Sequence, residues 1–355
     1  MTINISDIIP IIIVFQALLF AVVLLTDNGP KKTSNIYLAL FLILLGSQFL
    51  AILSDNLDLK SNFLIANICI FGYSYGPFLF LYSKSLIYKS FHFQVIQLLH
   101  FIPIALILGF SAFGYSVCRH IGFLLYISLL SYIILAVREI ISYRKVIQET
   151  QSSIDKTNLI WLQWTMIIFC IALLLDIVDQ FIVSMNFLGG ISSIHFTIVL
   201  LVNWMFYKGL KQPQIFLGIT KTDSEVLLDK KNISFGKVPD QDEQLELNSI
   251  QEFMKDNDPY TNPELNLKDL SEYLNMSPRR LSYLINTFLH QNFMGFINNF
   301  RIEKAKFLLS NPKEHEETVL EVMYDVGFNS KSSFFTIFKQ KTGLTPSQFK
   351  KRHKS

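Results

Sequence analysis

Near the end of the chain the sequence reads Thr318-Val319-Leu320-Glu321-Val322-Met323-Tyr324-Asp325-Val326-Gly327-Phe328-Asn329-Ser330-Lys331-Ser332-Ser333-Phe334. Thr318 and Glu321 have the spacing of a capping box, which predicts the start of a short helix. Gly327 is suited to the turn that ends this helix, and Ser330 or Asn329 can begin a second one. A short helix, a turn and a second helix with polar and basic residues at its start predict a helix-turn-helix unit.

The same plan occurs once earlier in the chain, over residues 266–288. Asn266 can cap a helix that begins at Leu267, Asn275 tolerates a left-handed turn, and Ser277 followed by Pro278 predicts the next helix start. Between the two copies, residues 293–309 carry apolar side chains at helical spacing and predict one long helix. We therefore expect residues 246–355 to form an all-α DNA-binding domain with tandem helix-turn-helix units.

In each copy the second helix has an inward apolar face, so the opposite face carries the candidate DNA contacts. Arginine suits guanine and phosphate, and asparagine suits adenine. From residue 277 onward, 13 basic residues stand against six acidic ones, and this excess favours phosphate contacts. The predicted DNA-binding residues are Arg279, Arg280, Ser282, Tyr283, Asn286, Asn329, Ser330, Lys331, Ser332, Thr336 and Lys339.

The upstream part of the chain is far more apolar than a soluble domain. Over the whole sequence 51% of residues are hydrophobic, only 17% are charged, and the mean hydropathy is +0.37. Apolar runs of the length that spans the hydrocarbon core as a helix recur seven times. The predicted spans are residues 8–25, 36–53, 63–83, 98–116, 121–137, 159–185 and 191–207.

The distribution of Lys and Arg predicts the orientation of these spans. When the loops are assigned alternately to the two sides, ten of these residues lie on one side and two on the other. Because cytoplasmic loops are enriched in Lys and Arg, the N-terminus is predicted outside and the C-terminal domain in the cytoplasm. We therefore expect a multi-pass protein of the inner (cytoplasmic) membrane, with residues 1–208 as a seven-helix transmembrane sensor domain and residues 209–245 as a juxtamembrane linker.

Several residues within the spans are candidates for a special role. Asp176 and Asp179 are predicted as a transmembrane ligand contact or switch, because ionisable groups in a membrane are costly and often functional. A solvated helix end or interhelical hydrogen bonding is the alternative, and it is favoured over the functional role. Pro77 breaks the backbone hydrogen bonding of the third span, and Gly76 lets a neighbouring helix approach.

The sequence shows no pattern of catalytic residues, metal ligands or cofactor-binding residues. Three cysteines, Cys69, Cys118 and Cys170, stand in apolar runs without the close Cys/His pairing of a zinc site. Each is predicted to be a small buried hydrophobic residue. We expect a protein that is not an enzyme and that carries neither a metal nor a cofactor.

The C-terminal stretch resembles the AraC/XylS family of bacterial transcription regulators. The residues that carry the resemblance are Gly327 to Phe334, Phe338-Lys339 and Gly343-Leu344-Thr345-Pro346-Ser347, with Arg301, Ala305 and Leu309 matching the family's linker helix. The resemblance implies two helix-turn-helix units that enter successive major-groove segments of a bipartite operator. The upstream half looks like that of membrane-bound members of the family. One departure is His290, which stands where the family usually has a glycine at the end of the first recognition helix.

Together these features predict a membrane-tethered one-component transcription regulator, whose transmembrane bundle senses an unknown signal and controls sequence-specific DNA binding. The expected partners are double-stranded DNA and membrane lipid. RNA polymerase, a small-molecule or membrane signal and a second copy of the chain are further candidates. Two alternatives remain open: a membrane transporter or intramembrane enzyme with an attached regulatory DNA-binding domain, and a C-terminal module that binds protein instead of DNA.

Overall fold

The computed structural model describes residues 5–27, 29, 32–56, 68–89, 91–115, 118–153, 158–178, 193–211, 219, 238–310 and 317–354. Within these ranges the chain forms α-helices and short 3-10 segments without a β-strand, which confirms the all-α prediction. The chain divides into two compact units. The apolar unit consists of Met1–Ser142 and Leu159–Gly218, and the C-terminal unit consists of Tyr143–Asn158 and Ile219–Ser355.

The apolar unit is a group of long helices. They are α1 (Ile5–Thr26), α2 (Lys32–Asn56), α3 (Cys69–Ile87), α4 (Ile102–Ala112) after a 3-10 segment (Val95–Phe101), the first part of α5 (Cys118–Thr150), α6 (Ile160–Val178) and α7 (Ser193–Lys211). Among the residues that the structure describes, four segments are long and apolar enough to cross a membrane: Asp7–Thr26, Lys32–Ser54, Val95–Ala112 and Phe123–Thr150. The third, fourth, sixth and seventh predicted spans include residues outside the described ranges, so the number seven stays a prediction.

Close packing of α3 against α5 depends on two glycines. A Cβ atom added to Gly72 would lie 2.2 Å from Leu125 Cδ1, and one added to Gly76 would lie 2.5 Å from Tyr132 Cδ2. Small residues at such contacts let two helix backbones approach each other. The prediction that Gly76 permits a close helix approach is confirmed.

Polar groups within the apolar unit pair between helices. Asn203 Nδ2 donates to Gln16 Oε1 at 2.9 Å, and the Tyr75 hydroxyl donates to Gln48 Oε1. Cys69 is disulfide-bonded, so its prediction as a plain hydrophobic residue is wrong. Asp179 and the side chain of Asp176 lie outside what the structure describes.

The C-terminal unit is built around one central helix. Its elements are the last turns of α5, then α8 (Gln241–Asp256), a 3-10 segment (Pro259–Thr261), α9 (Leu267–Tyr273), α10 (Pro278–Phe288), α11 (Phe293–Ser310), α12 (Val319–Asp325), α13 (Lys331–Thr342) and α14 (Pro346–Lys354). One apolar core joins α9 and α10 to the start of α11, where Phe293 and Ile297 are buried. A second core joins α12 and α13 to the rest of α11, where Ile302 and Leu309 are buried. The central helix α11 therefore holds two helix pairs, α9–α10 and α12–α13.

Capping chemistry sets the helix starts in both pairs. Asn266 accepts from Asp269 N at 3.0 Å at the start of α9, and Thr318 forms the predicted capping box with Glu321 at the start of α12. The first complete helix of this unit, α8, begins at Gln241, ahead of residue 246, where the DNA-binding domain was predicted to start. Asp240 caps α8 through a capping box with Glu243, a signal that the sequence also contained.

Candidate nucleic-acid interface

The second helix of each pair, α10 or α13, is called a reading helix below because the predicted DNA contacts lie at or near its start. Ser277 accepts a hydrogen bond from Arg280 N at 3.2 Å and begins α10. Ser330 accepts one from Ser333 N at 3.4 Å and begins α13. Each cap satisfies one backbone donor at the helix start, which leaves the first turns ordered and their side chains available on the opposite face.

The turns before the reading helices both need a left-handed backbone. Asn275 has φ +52° in the first turn, and Gly327 has φ +90° in the second. A Cβ atom on Gly327 would lie 2.5 Å from the backbone oxygen of Tyr260. Both turn predictions are confirmed, but only the second position excludes every side chain on steric grounds.

The reading helix α13 presents its predicted contacts to solvent. Lys331, Ser332, Thr336 and Lys339 are exposed, while Phe334 and Phe338 are fully buried on the other face. Just before the helix, Asn329 is half-buried and donates from Nδ2 to Glu264 Oε1 at 3.4 Å. The exposed face of α13 therefore combines two basic and two hydroxyl side chains, which suit phosphate and base edges.

The reading helix α10 is different, because carboxylates occupy its predicted contacts. Arg280 is half-buried and donates from Nε and Nη2 to Glu246 Oε2 at 2.9 and 2.6 Å, with Glu243 at 3.7 Å. The hydrogen bond to Glu246 raises the pKa of the Arg280 guanidinium. The Tyr283 hydroxyl donates to Glu243 Oε1 at 3.3 Å. Of the five predicted contacts on α10, only Arg279 is exposed to solvent.

Further along α10, one predicted contact is buried and another is paired with the end of α5. Ser282 was expected to face solvent, and this placement is wrong, since only 6% of the residue is exposed. Asn286 Nδ2 donates to Glu149 Oε2 at 2.9 Å, to Ser282 O at 2.9 Å and to Ser282 Oγ at 3.1 Å. Glu149 itself is 2% exposed. A carboxylate from a distant part of the sequence thus lies against the first reading helix.

Sequence reasoning missed Glu149 because the fifth predicted span ended at Val137. The helix α5 instead continues to Thr150. A signal for this was present: Ile140, Tyr143, Val146 and Ile147 recur at helical spacing, and all four are buried. Their stripe continues the helix beyond the apolar run.

Arg301 lies at the centre of the C-terminal unit and is fully buried. Its Nε donates to Tyr260 O at 2.8 Å, its Nη2 to Asn262 O at 3.0 Å and to Ser152 Oγ at 3.2 Å, and its Nη1 to Ser152 O at 3.2 Å. Burial lowers the pKa of this guanidinium to about 10. The match of Arg301 to a family position did not predict these partners. They come from the segment after α5 and from the loop between α8 and α9.

A cavity of about 290 Å³ adjoins Arg301. Ser152 and Ser153 line one part of it, and Ser332 and Thr336 of α13 line another. The segment after α5 therefore borders the second reading helix, while the end of α5 contacts the first.

The C-terminal part of this chain resembles known proteins. Residues 270–352 match a family model described as a helix-turn-helix domain. An uncharacterized HTH-type transcriptional regulator of Staphylococcus aureus (strain MSSA476) is 37% identical over 87 residues, which cover 24% of this chain and 11% of that protein. The uncharacterized HTH-type transcriptional regulator YdeC of Bacillus subtilis (strain 168) is 32% identical over 88 residues, 25% of this chain and 29% of that protein.

The match thus spans less than a third of the length of either relative. No solved structure matches this chain. The similarities support the AraC-like assignment made from the sequence. Residues 270–352 therefore match a helix-turn-helix domain, and the relatives that share this similarity are named as HTH-type transcriptional regulators.

Proposed function

We propose that this protein is a membrane-tethered transcription regulator that binds double-stranded DNA through its C-terminal unit. The observation that carries the proposal is the exposed face of α13, with Lys331, Ser332, Thr336 and Lys339, inside a helix-turn-helix domain. Lysine side chains contact phosphates, and hydroxyl groups reach phosphates or base edges. All eleven predicted DNA-binding residues on α10, on α13 and before α13 belong to this proposal.

The two helix pairs act as two helix-turn-helix units on one DNA molecule. The central helix α11 has 18 residues, so it is about 27 Å long. Two reading helices held by such a helix suit a bipartite operator whose half-sites lie about one helical turn, or 34 Å, apart. The shared central helix would fix the spacing between the half-sites.

The apolar unit anchors this domain in the inner membrane as a seven-span bundle. Its helices expose many large apolar side chains, including Phe15, Val95, Phe123, Ile134 and Trp164. Soluble proteins rarely expose so much contiguous apolar surface, and lipid would cover it here. Cys69, which is disulfide-bonded, is the first residue of α3. The charge distribution puts this end of α3 outside, where disulfides persist.

Footprinting of the full-length protein in lipid nanodiscs tests the DNA-binding part of the proposal. A DNA duplex enriched from a random-sequence pool serves as probe. We expect Arg279→Ala combined with Lys331→Ala to abolish the protected region. Lys306→Ala, which removes a charge paired with Glu303 on α11, is the matched control and should leave protection unchanged. Equal protection by all three proteins would favour a protein-binding module.

The bundle is proposed to sense a signal and to change operator occupancy, with Asp176 and Asp179 as candidate ligand residues. A signal can act only if it binds one state of the bundle better than another. Replacing residues 1–208 by an unrelated membrane anchor should therefore change operator occupancy in cells, measured by genome-wide mapping of bound sites. Unchanged occupancy under all growth conditions would contradict the sensing role. RNA polymerase and a second copy of the chain are proposed as further partners.

A further inference from the structure

The C-terminal end of α5 is an integral part of the C-terminal unit. Tyr143, Val146 and Ile147 are buried there, and the chain after the helix pairs with the segment before α9. Gln151 and Asn266 form an antiparallel bridge, and Ser152 N donates to Leu265 O at 3.2 Å. Residues 143–153 are called the α5 tail below.

The α5 tail occupies donors that a DNA-reading helix would use. Arg279, Ser282, Tyr283 and Asn286 have the spacing of one helical face on α10. One of the four is engaged directly by the tail, because Asn286 donates to Glu149. Ser282, which accepts from Asn286, is buried. An asparagine whose amide donates to a carboxylate cannot at the same time make the bidentate contact to adenine.

The charge of Glu149 adds to this obstruction. DNA carries one negative charge per ~1.7 Å of its axis. A buried carboxylate on the reading face therefore opposes the approach of the phosphate backbone as well as blocking a base contact. The tail is also fastened at a second point, since Ser152 accepts two hydrogen bonds from the buried Arg301.

We propose that the α5 tail is an internal occupant of the DNA-binding surface, and that it must leave α10 before this helix can enter the major groove. This inference rests on the proposed DNA-binding function and names its regulation. The tail acts as a competitor that the same chain supplies. Signals that withdraw it would open the first reading helix, while α13 stays accessible in both states.

Substitution of Glu149 is the first test. In full-length protein in nanodiscs, Glu149→Ala should tighten binding of a labelled duplex, enriched by the wild-type protein from a random-sequence pool, by about tenfold, because a hydrogen bond to a charged group is lost only from the closed state. Glu303→Ala is the control: it removes the same charge from an exposed carboxylate paired with Lys306. Equal tightening by both variants would reduce the effect to general electrostatics and overturn the inference.

A reversible crosslink is the second test. Gln151 and Asn266 face each other across an antiparallel bridge, where Cα atoms lie about 4.5–5.5 Å apart, a separation that suits an engineered disulfide. In a variant with Gln151→Cys and Asn266→Cys, the oxidised protein should lose most of its affinity for the duplex and regain it on reduction. The wild type, taken through the same oxidation and reduction, corrects for the native disulfide.

The outcomes separate this inference from the proposed function. If the oxidised and reduced forms bind the duplex equally, the tail is not a competitor, although the protein still binds DNA. If neither the wild type, nor Glu149→Ala, nor the reduced crosslink variant enriches or binds any duplex, the DNA-binding function itself is wrong.

Discussion

The two reading helices have similar sequences at their starts and different surroundings. Both begin with a serine cap, and both follow a left-handed turn. The face of α13 is exposed, whereas the face of α10 is held by Glu149 from the end of α5 and by Glu243 and Glu246 from α8. This difference shows that the residues packed around a reading helix, and not its local sequence motif, decide its access to DNA.

The largest expected effect concerns the turns before the two helices. Gly327→Ala should lower the free energy of unfolding of the C-terminal unit by about 3 kcal/mol, because the alanine would have a positive φ and would clash with Tyr260 O. Asn275→Ala should cost about 1 kcal/mol, since that turn carries a side chain already. Hydrogen exchange of the α9–α13 amides measures both values. Similar losses would show that the turns are equivalent.

The next effect tests whether α10 is engaged only after the α5 tail leaves. Asn286→Ala should weaken DNA binding by about tenfold in the Glu149→Ala background, the value of a good base contact. In the wild-type background it should change affinity much less, because the asparagine donates to Glu149 there. Binding isotherms of the four proteins form a double-mutant cycle. Additive effects would contradict the coupling.

A smaller effect is expected on α13, where no rearrangement is needed. Lys331 is exposed, so Lys331→Ala should weaken DNA binding a few-fold for all sequences and reduce the slope of log K against log salt by about 1. The loss should be the same with and without Glu149→Ala. A loss confined to one DNA sequence would instead assign a base contact to Lys331.

The smallest effect concerns the end of α10. His290 has φ +52°, a left-handed conformation that costs a histidine more than a glycine. His290→Gly should raise the free energy of unfolding by only about 0.5 kcal/mol, because the glycine also gains freedom in the unfolded chain. Denaturant unfolding followed by proteolysis of the C-terminal unit measures the change. A loss of stability would mean that the His290 side chain contributes contacts of its own.

Local chemistry made much of the C-terminal unit predictable. Asn266, Ser277 and Thr318 were found as helix caps, and Gly327 as a turn residue, because these roles depend on neighbours within a few positions. The contact between Asn286 and Glu149 was missed because Glu149 lies more than 130 residues away in sequence. No local sequence pattern predicts a contact between residues so far apart in sequence. The length of α5, by contrast, could have been predicted from the apolar residues that recur at helical spacing near its end.

The continuity of α5 has a genetic consequence. The helix has 33 residues and no proline, so it is about 50 Å long, well beyond the ~30 Å hydrocarbon core. It carries Leu125 and Tyr132, which pack on Gly72 and Gly76, and also Glu149. In a selection for reporter expression without the signal, we expect the constitutive alleles to map to these two glycines and to the α5 tail. Substitutions in α13 should instead be found among mutants in which the protein no longer controls the reporter at all.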